Sequence, residues 1–382
     1  MNFELTEEQR LLREMVKDFA EHEIAPIIKD FDSHHLFPRP ILRKLAGLGI
    51  LGMSVPPEFG GTQTDSLSLA LALEELSRVS PAVAVIVSVH CSLFCYSLVE
   101  FGTPQQKAKY LPGAACGEIL GAFSLTEPGA GSDATNLKTK AEKQGDFYVL
   151  NGRKAWVTSG SEAEAMIIFC QTDIEPGKKK LSAFIVEKTF PGFKVARLEE
   201  KMGLECSLTA ELVLENCRVP AENLLGQEGR GAAIAFHGLD SSRIGVGAQA
   251  VGLSQRALDE AVRYAKQREA FGHKIADFEA IQGMIADMAT QVEAARLLTY
   301  KASVLRDRGL PFTKEASMSK LFASEAANKI AYLALQIHGG YGYSKEFAVE
   351  RLYRDARVLP LYEGTSEIQR LVIARNLLRE LE

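Results

Sequence analysis

The stretch FYVLNGRKAWVT, Phe147 to Thr158, breaks the rhythm of the chain. Two strand-forming runs, residues 147–150 and 154–157, flank Asn151-Gly152. Both central residues of a tight hairpin turn need positive φ, which Asn-Gly supplies, so the stretch predicts a β-hairpin. Residues 166–170, 181–186 and 211–214 read as further strands, giving an antiparallel sheet closed as a small barrel or sandwich. On either side the period is helical. Leu5, Leu11, Leu12, Met15, Val16 and Phe19 recur at helical spacing before Pro26, and helices follow at 41–48, 66–78 and 82–101. Downstream, Ile281, Ile285, Met288, Val292, Ala295 and Thr299 share one face until Gly309 and Pro311 end it. Residues 316–337 and 367–381 read as two more helices. The expected fold class is α+β: a helical N-terminal domain at 1–121, a middle β domain at 122–231 and a C-terminal four-helix bundle at 232–382.

Composition narrows the function. Of 382 residues, 46% are hydrophobic and 24% charged, the balance of a globular protein with a large core. A formal net charge of −5 argues against a nucleic-acid surface. The longest basic run, Lys178-Lys179-Lys180 after Pro176-Gly177, reads as a solvated hairpin loop. The six cysteines form no CxxC and no His pair sits at ligand spacing, so no metal site is expected and the thiols read as reduced. The N-terminus is charged and amphipathic, without the apolar core of a signal peptide. The most apolar run, 82–89, is shorter than a bilayer span and is interrupted by His90, so no membrane insertion is expected.

Several short segments could carry chemistry, and each has a plainer reading. Residues 124–133, SLTEPGAGSD, place glycines and hydroxyls where a backbone could approach a ligand, or simply make a polar turn. Trp156 is the only tryptophan and fits the core or an aromatic wall over a planar ligand. Asp240 and Arg243 share a helix face, as a surface ion pair would. Arg268 stands at a helix end, where the dipole alone favours it. QIHGGYG, 336–342, ends another helix; its glycines could be a cap or a phosphate seat, and His338 reads as structural. In LYEGTSEIQR, 361–370, Ser366 and Gln369 have capping-box spacing, so a helix should start near Glu367 and attract an anion. Glu363 is either a loop charge or, if Leu359, Leu361 and Tyr362 wall it from water, a base with a raised pKa.

Together these segments resemble the acyl-CoA dehydrogenase family over nearly the whole chain. The resemblance is carried by AFSLTEPGAGSDATNLKTKA, GRKAWVTSGSEA, ENLLGQEGRG, LDSSRIGVGAQAVGLSQRALDEAVRYAKQREAFG, QIHGGYGY and LYEGTSEIQR, in family order. It implies that Glu363 removes the pro-R α-proton of an acyl-CoA thioester while FAD takes a hydride from the β-carbon, giving a trans-2-enoyl-CoA. The thioester carbonyl would then be held by the Glu363 backbone N–H and a flavin ribityl hydroxyl. By the same resemblance, Phe123, Leu125, Thr126, Trp156 and Thr158 face the flavin ring, and Ser132 serves both flavin phosphate and CoA. Thr365 and Glu367 match FAD contacts beside the base. Arg268, Phe271, Gln336, Gly339 and Gly340 match FAD contacts supplied across a subunit interface. Asp240 and Arg243 match residues that hold CoA; Tyr362 and Gly364 match the substrate cavity.

The implied assembly is a homotetramer, a dimer of dimers, passing electrons to an electron-transfer flavoprotein. The implied location is the bacterial cytoplasm, or the mitochondrial matrix for a mature form. Glu279 replaces a frequent family Gln, Glu205 a basic or neutral residue, and Cys91 and Cys95 lie in the helix that shapes the acyl cavity. Competing readings are an alicyclic or aromatic acyl-CoA substrate, an oxidase, and a flavin-containing nucleic-acid-binding relative, which the net charge opposes.

Overall fold

A computed structural model describes residues 4–175 and 178–380. The N-terminal part is helical: α1 (Glu7–Phe19), α2 (Ile28–Ser33), α3 (Arg39–Gly47), α4 (Ser66–Val79), α5 (Pro81–Ser88), α6 (Tyr96–Phe101) and α7 (Pro104–Ala115). Local chemistry sets the starts. Thr6 caps α1 and Thr103 caps α7, each in a reciprocal box with the glutamine three residues on. Asp65 and Ser80 cap α4 and α5.

A π-helical segment, Val89–Cys95, joins α5 to α6 into one rod. His90 therefore does not interrupt the apolar run. Its ring is buried, facing the Ala114 carbonyl and accepting the Gly121 N–H, so the polar atoms are satisfied inside the helix packing. The rod, Pro81–Phe101, is long and apolar enough to cross a membrane, yet 89% of its apolar window is buried within the protein, where it forms core.

The middle of the chain is one eight-stranded sheet in the order β6-β7-β3-β2-β4-β5-β8, with β1 beside β4. Its strands are β1 (Gly121–Ser124), β2 (Lys140–Gln144), β3 (Phe147–Thr158), β4 (Ala165–Glu175), β5 (Lys178–Glu187), β6 (Phe193–Leu198), β7 (Thr209–Pro220) and β8 (Leu224–Leu225). Most pairs are antiparallel; β1–β4 and β2–β4 run parallel. Residues from β3, β4, β5 and β7 share one apolar cluster, so strands far apart in the sheet order curl around a common core. Alternate residues of β4, Ile167 and Phe169, pack in a second cluster with α6 and α7. Lys178–Lys180 open strand β5 rather than forming a loop; Pro176-Gly177 lie outside the described residues.

The expected hairpin at Asn151-Gly152 is not there. β3 runs through both residues, with a register shift between Leu150 and Gly152. The hairpin is made one step earlier by Gly145-Asp146, where Gly145 has φ +61° and Gln144 pairs with Phe147. Asn151 instead accepts the Asn216 N–H across the sheet. Gly152 is required for close packing: a Cβ there would lie 2.7 Å from Thr139 Cα. Gly152→Ala is expected to destabilise the protein by about 1–3 kcal/mol, read from urea unfolding, because Thr139 backbone must move.

The C-terminal part is a helical bundle: α8 (Gly231–Gln267), α9 (Glu279–Asp307), α10 (Thr313–His338), α11 (Ala348–Ala356) and α12 (Ser366–Glu380). Between α8 and α9 a small ribbon pairs β9 (Glu269–Ala270) with β10 (His273–Lys274). The middle of α8, residues 241–254, is buried on every side, against the N-terminal helices and against α9 and α10. Met288, Val292, Ala295 and Thr299 are buried as their spacing predicts. Glu205 faces His35 and Arg354 where α11 meets the chain before β7.

Candidate active site

Between α11 and α12 the chain makes a compact loop, with the Leu361 and Tyr362 N–H groups both donating to the Val358 carbonyl. Glu363 then takes φ +53° and Gly364 φ +94°. A left-handed glutamate is uncommon and persists only when its surroundings hold it. Here Arg243 Nε donates to the Glu363 carbonyl at 3.4 Å and Gln369 Nε2 to the same oxygen at 3.2 Å. The Gly364 carbonyl accepts from Lys320 Nζ at 2.8 Å and from Gln369 Nε2 at 2.9 Å. A Cβ on residue 364 would sit 2.6 Å from Gln369 Nε2, which explains the glycine.

These contacts revise the expected capping box. The N-cap acceptor is Thr365 Oγ1, which takes the Ile368 N–H at 3.4 Å; the helix begins at Ser366, and Gln369 reaches back to carbonyls instead of to an N–H. Glu367 is exposed in the first turn, where its own N–H and the Thr365 hydroxyl hold its carboxyl below the usual range.

The Glu363 carboxyl is sheltered. Its Oε2 is buried and, among the described residues, makes no well-formed hydrogen bond; the Ser242 hydroxyl is the neutral donor that faces it. Burial pushes its pKa up, only partly offset by Ser242, Lys320 and Arg243. Tyr362 lies close enough to act on it, its hydroxyl donating to Gln249 Oε1, and Leu359 is fully buried in the bundle core. Leu361 does not wall it off: it is 49% exposed, turned outward by the φ reversal that follows. Much of the wall is polar and comes from α8 and α10, which residues 359–362 alone could not reveal.

Asp240 and Arg243 form their ion pair at 2.7 Å, but inside the protein rather than on its surface. Thr313 donates to the other Asp240 oxygen at 2.6 Å. Burial raises the Asp240 carboxyl despite Arg243 and Thr313. The pair fixes the guanidinium that reaches the Glu363 carbonyl.

A second group gathers along β1, β3 and the loop after β1. Phe123 is half-buried and belongs to the cluster that also contains Tyr362, so it links this group to the first. Leu125 is buried; the Thr126 carbonyl accepts the Ala155 N–H at 2.9 Å. Trp156 is not core: at a bulge in β3 with φ +59°, its side chain is 59% exposed. Thr158 is half-buried and Ser132 exposed. Under the loop, Lys154 is fully buried, donating to Glu127 Oε1 at 2.9 Å and to the Leu125 carbonyl at 3.2 Å. The hydroxyls of Ser124 and Ser159 are buried without partners, and a Cβ on Gly129 or Gly131 would meet nothing. An outward-facing indole, unspent hydroxyls and open backbone fit a planar, phosphate-bearing cofactor such as FAD.

The third group stands apart. Lys320 and Gln336 are sixteen residues apart on α10, about 24 Å along a helix. There Arg268, Gly339 and Gly340 line a 590 Å³ cavity, with Arg268 over the Tyr341 ring. Gly339 caps α10 with φ +58°, and a Cβ on either glycine would meet nothing. Phe271 is 94% exposed, and Gln336 is exposed too. His338 is structural, bonded to the Ala334 carbonyl and stacked on Tyr264. Within one chain these residues do not reach Glu363.

Sequence reasoning missed Lys320, Ser242 and Gln249, and gave Gln369 a capping role in place of its hold on the two carbonyls. For Lys320 a signal existed: it shares helical spacing with Ala316, Ala323 and Ala327, all buried, which is no place for a solvated lysine.

Three family models match along the chain: acyl-CoA dehydrogenase N-terminal domain at residues 6–118, middle domain at 122–217 and C-terminal domain at 229–378. The chain is 48% identical over 376 residues to the mitochondrial short-chain specific acyl-CoA dehydrogenase of Mus musculus, covering 98% of this chain and 91% of that protein. It is 48% identical over 381 residues to the acryloyl-CoA reductase (NADH) of Anaerotignum propionicum, covering 99% and 96%. A chain solved in work on the electron transferring flavoprotein of Acidaminococcus fermentans superposes with a TM-score of 0.97 at 46% identity, covering 99% of this chain and all of that one.

Proposed function

The chain belongs to the acyl-CoA dehydrogenase family, and from that premise we propose that it oxidises a short-chain acyl-CoA to its trans-2-enoyl-CoA, with Glu363 as the base. One observation carries the assignment: a left-handed, sheltered glutamate whose buried Oε2, among the described residues, makes no well-formed hydrogen bond and faces only the Ser242 hydroxyl. Its backbone N–H also makes no hydrogen bond among the described residues, so one residue offers both a base for the α-proton and a donor for the thioester carbonyl. FAD, when bound, accepts the two electrons that leave with the β-hydrogen. Phe123, Leu125, Thr126, Trp156 and Thr158 would hold its ring, with Ser132, Thr365 and Glu367 at its polar side. Tyr362 and Gly364 bound the acyl end, and Asp240 with Arg243 fixes the wall toward CoA.

The separation of Arg268, Phe271, Gln336, Gly339 and Gly340 from Glu363 supports a homo-oligomer, a tetramer in our reading, in which they complete the cofactor site of another subunit. An electron-transfer flavoprotein is the proposed acceptor, supported by the structural neighbour from Acidaminococcus. The proposed location is the bacterial cytoplasm. The acryloyl-CoA reductase relative favours a second reading: the same residues run in reverse, Glu363 returning the proton to the α-carbon.

Anaerobic titration with straight-chain, branched and aromatic acyl-CoAs tests the first reading. Butyryl-CoA is expected to bleach the flavin fastest. Failure of every saturated acyl-CoA to bleach it would overturn the assignment. Reduction of acryloyl-CoA by the reduced enzyme, outpacing oxidation of the saturated thioester, would favour the second.

A further inference from the structure

The carbonyls of Glu363 and Gly364 point inward and are held by side chains from three different helices. Lys320 and Gln369 are both 0% exposed. Burying an ammonium is costly unless it is paired. Yet Lys320 makes no carboxylate ion pair within 4.0 Å among the described residues; its Nζ bonds the Gly364 carbonyl. Gln369 spends both Nε2 protons on the same two carbonyls, while its Oε1 is left buried without a partner. A merely structural contact would not need a buried charge and an orphaned oxygen. Both costs fall on one strained peptide, the one that aims Glu363.

We propose that Lys320 and Gln369 are positioning residues for the reaction: they clamp the Glu363–Gly364 carbonyls so that the Glu363 carboxyl and N–H face the same thioester. The inference rests on Glu363 being the base.

The groups bearing on Glu363 are few. Lys320 comes from α10, Arg243 and Ser242 from α8, and Tyr362 from its own loop; Asp240 acts on Arg243, while Arg243, Glu367 on α12 and Glu325 on α10 act on Lys320. Asp240 is matched by Arg243, which leaves Lys320 as the cation without a paired carboxylate. Burial pushes the Lys320 ammonium down to about 8, opposed by Glu363. Its charge is therefore present at neutral pH and is lost as pH rises through that value, leaving the Gly364 carbonyl a weaker, neutral donor.

Lys320→Met, Lys320→Arg, Gln369→Leu and a Glu363→Gln control, each loaded with FAD, separate the possibilities. Lys320→Met and Gln369→Leu are expected to lower kcat about tenfold with little change in KM. In Lys320→Met the acidic limb of the pH–kcat profile moves to higher pH, because the cation favouring ionised Glu363 is gone, and the limb near 8 disappears. Lys320→Arg restores the acidic limb. A folded Lys320→Met enzyme with wild-type kcat and profile overturns the proposal, as does one with only a lowered melting temperature. If Lys320→Met does not fold, the neutral change Gln369→Leu decides: wild-type kcat there overturns the clamp. Turnover by Glu363→Gln would instead show that the base lies elsewhere.

Discussion

Glu363→Gln is expected to lower kcat by about 10²–10⁴-fold while the protein keeps its FAD. Gln preserves the shape and leaves the main-chain clamp untouched, since Arg243, Lys320 and Gln369 hold carbonyl oxygens and not the carboxyl. What is lost is the proton acceptor alone. Acyl-CoA should therefore still bind, seen as a perturbed flavin spectrum, but bleaching in single-turnover stopped flow should all but vanish. On the proposed role, activity in the parent requires the ionised carboxylate. Burial raises its pKa above the ordinary glutamate value, so kcat should fall as pH drops through that raised value, and the variant should show no such limb. Stability has the opposite sign. A carboxyl whose pKa is raised on folding weakens the fold once pH exceeds its unfolded value, because the folded state then resists ionisation. Glu363→Gln should thus melt at or above the parent temperature at neutral pH, as expected where catalysis has been favoured over stability.

The sequence was most legible where local rules act alone. Helical spacing at Met288, Val292, Ala295 and Thr299 placed the buried face of α9, and the strand period of 147–158 marked the change to sheet. It misled where tertiary contacts override a strong local signal. Asn151-Gly152 has ideal turn chemistry, yet Gly152 is there because Thr139 lies against it, and the turn fell to Gly145-Asp146. Ser366 and Gln369 have capping spacing, but Gln369 is drawn to inward-facing carbonyls that exist only because Glu363 is left-handed. The residues alone left Trp156 open between core and an aromatic wall, because nothing local announces the bulge that turns it outward. Glu363 as the proposed base was legible from the family resemblance of LYEGTSEIQR. Its clamp was not, because Arg243, Lys320 and Gln369 come from three helices whose convergence only the fold supplies.

Lys154→Met is expected to cost about 3–5 kcal/mol, measured by chemical unfolding of the FAD-free protein, and to weaken retention of the cofactor. Lys154 and Glu127 are buried together beneath the loop that carries Leu125 and Thr126. Glu127 also takes the Lys138 N–H at 2.5 Å and the Thr139 N–H at 3.0 Å. Burial pushes its carboxyl up, but Lys154 and these donors outweigh that and hold it below the ordinary range. Glu127 therefore contributes stability above the unfolded glutamate pKa that fades as pH falls through the depressed folded value, although burial pushes the Lys154 ammonium down and offsets part of it. Methionine fills most of the lysine's space, so the loss comes from an uncompensated carboxylate more than from a cavity. Two consequences distinguish this from poor packing. The deficit should shrink in acid, where Glu127 in the variant takes up a proton. Adding Glu127→Gln should also recover part of the loss at neutral pH, whereas a packing defect would respond to neither. The effect on FAD follows from the second bond of Lys154, to the Leu125 carbonyl: without it the loop loses its tether at the residues expected to face the flavin ring. Cofactor fluorescence released on dilution should therefore rise in Lys154→Met and fall back in the double variant only as far as the loop itself is restored.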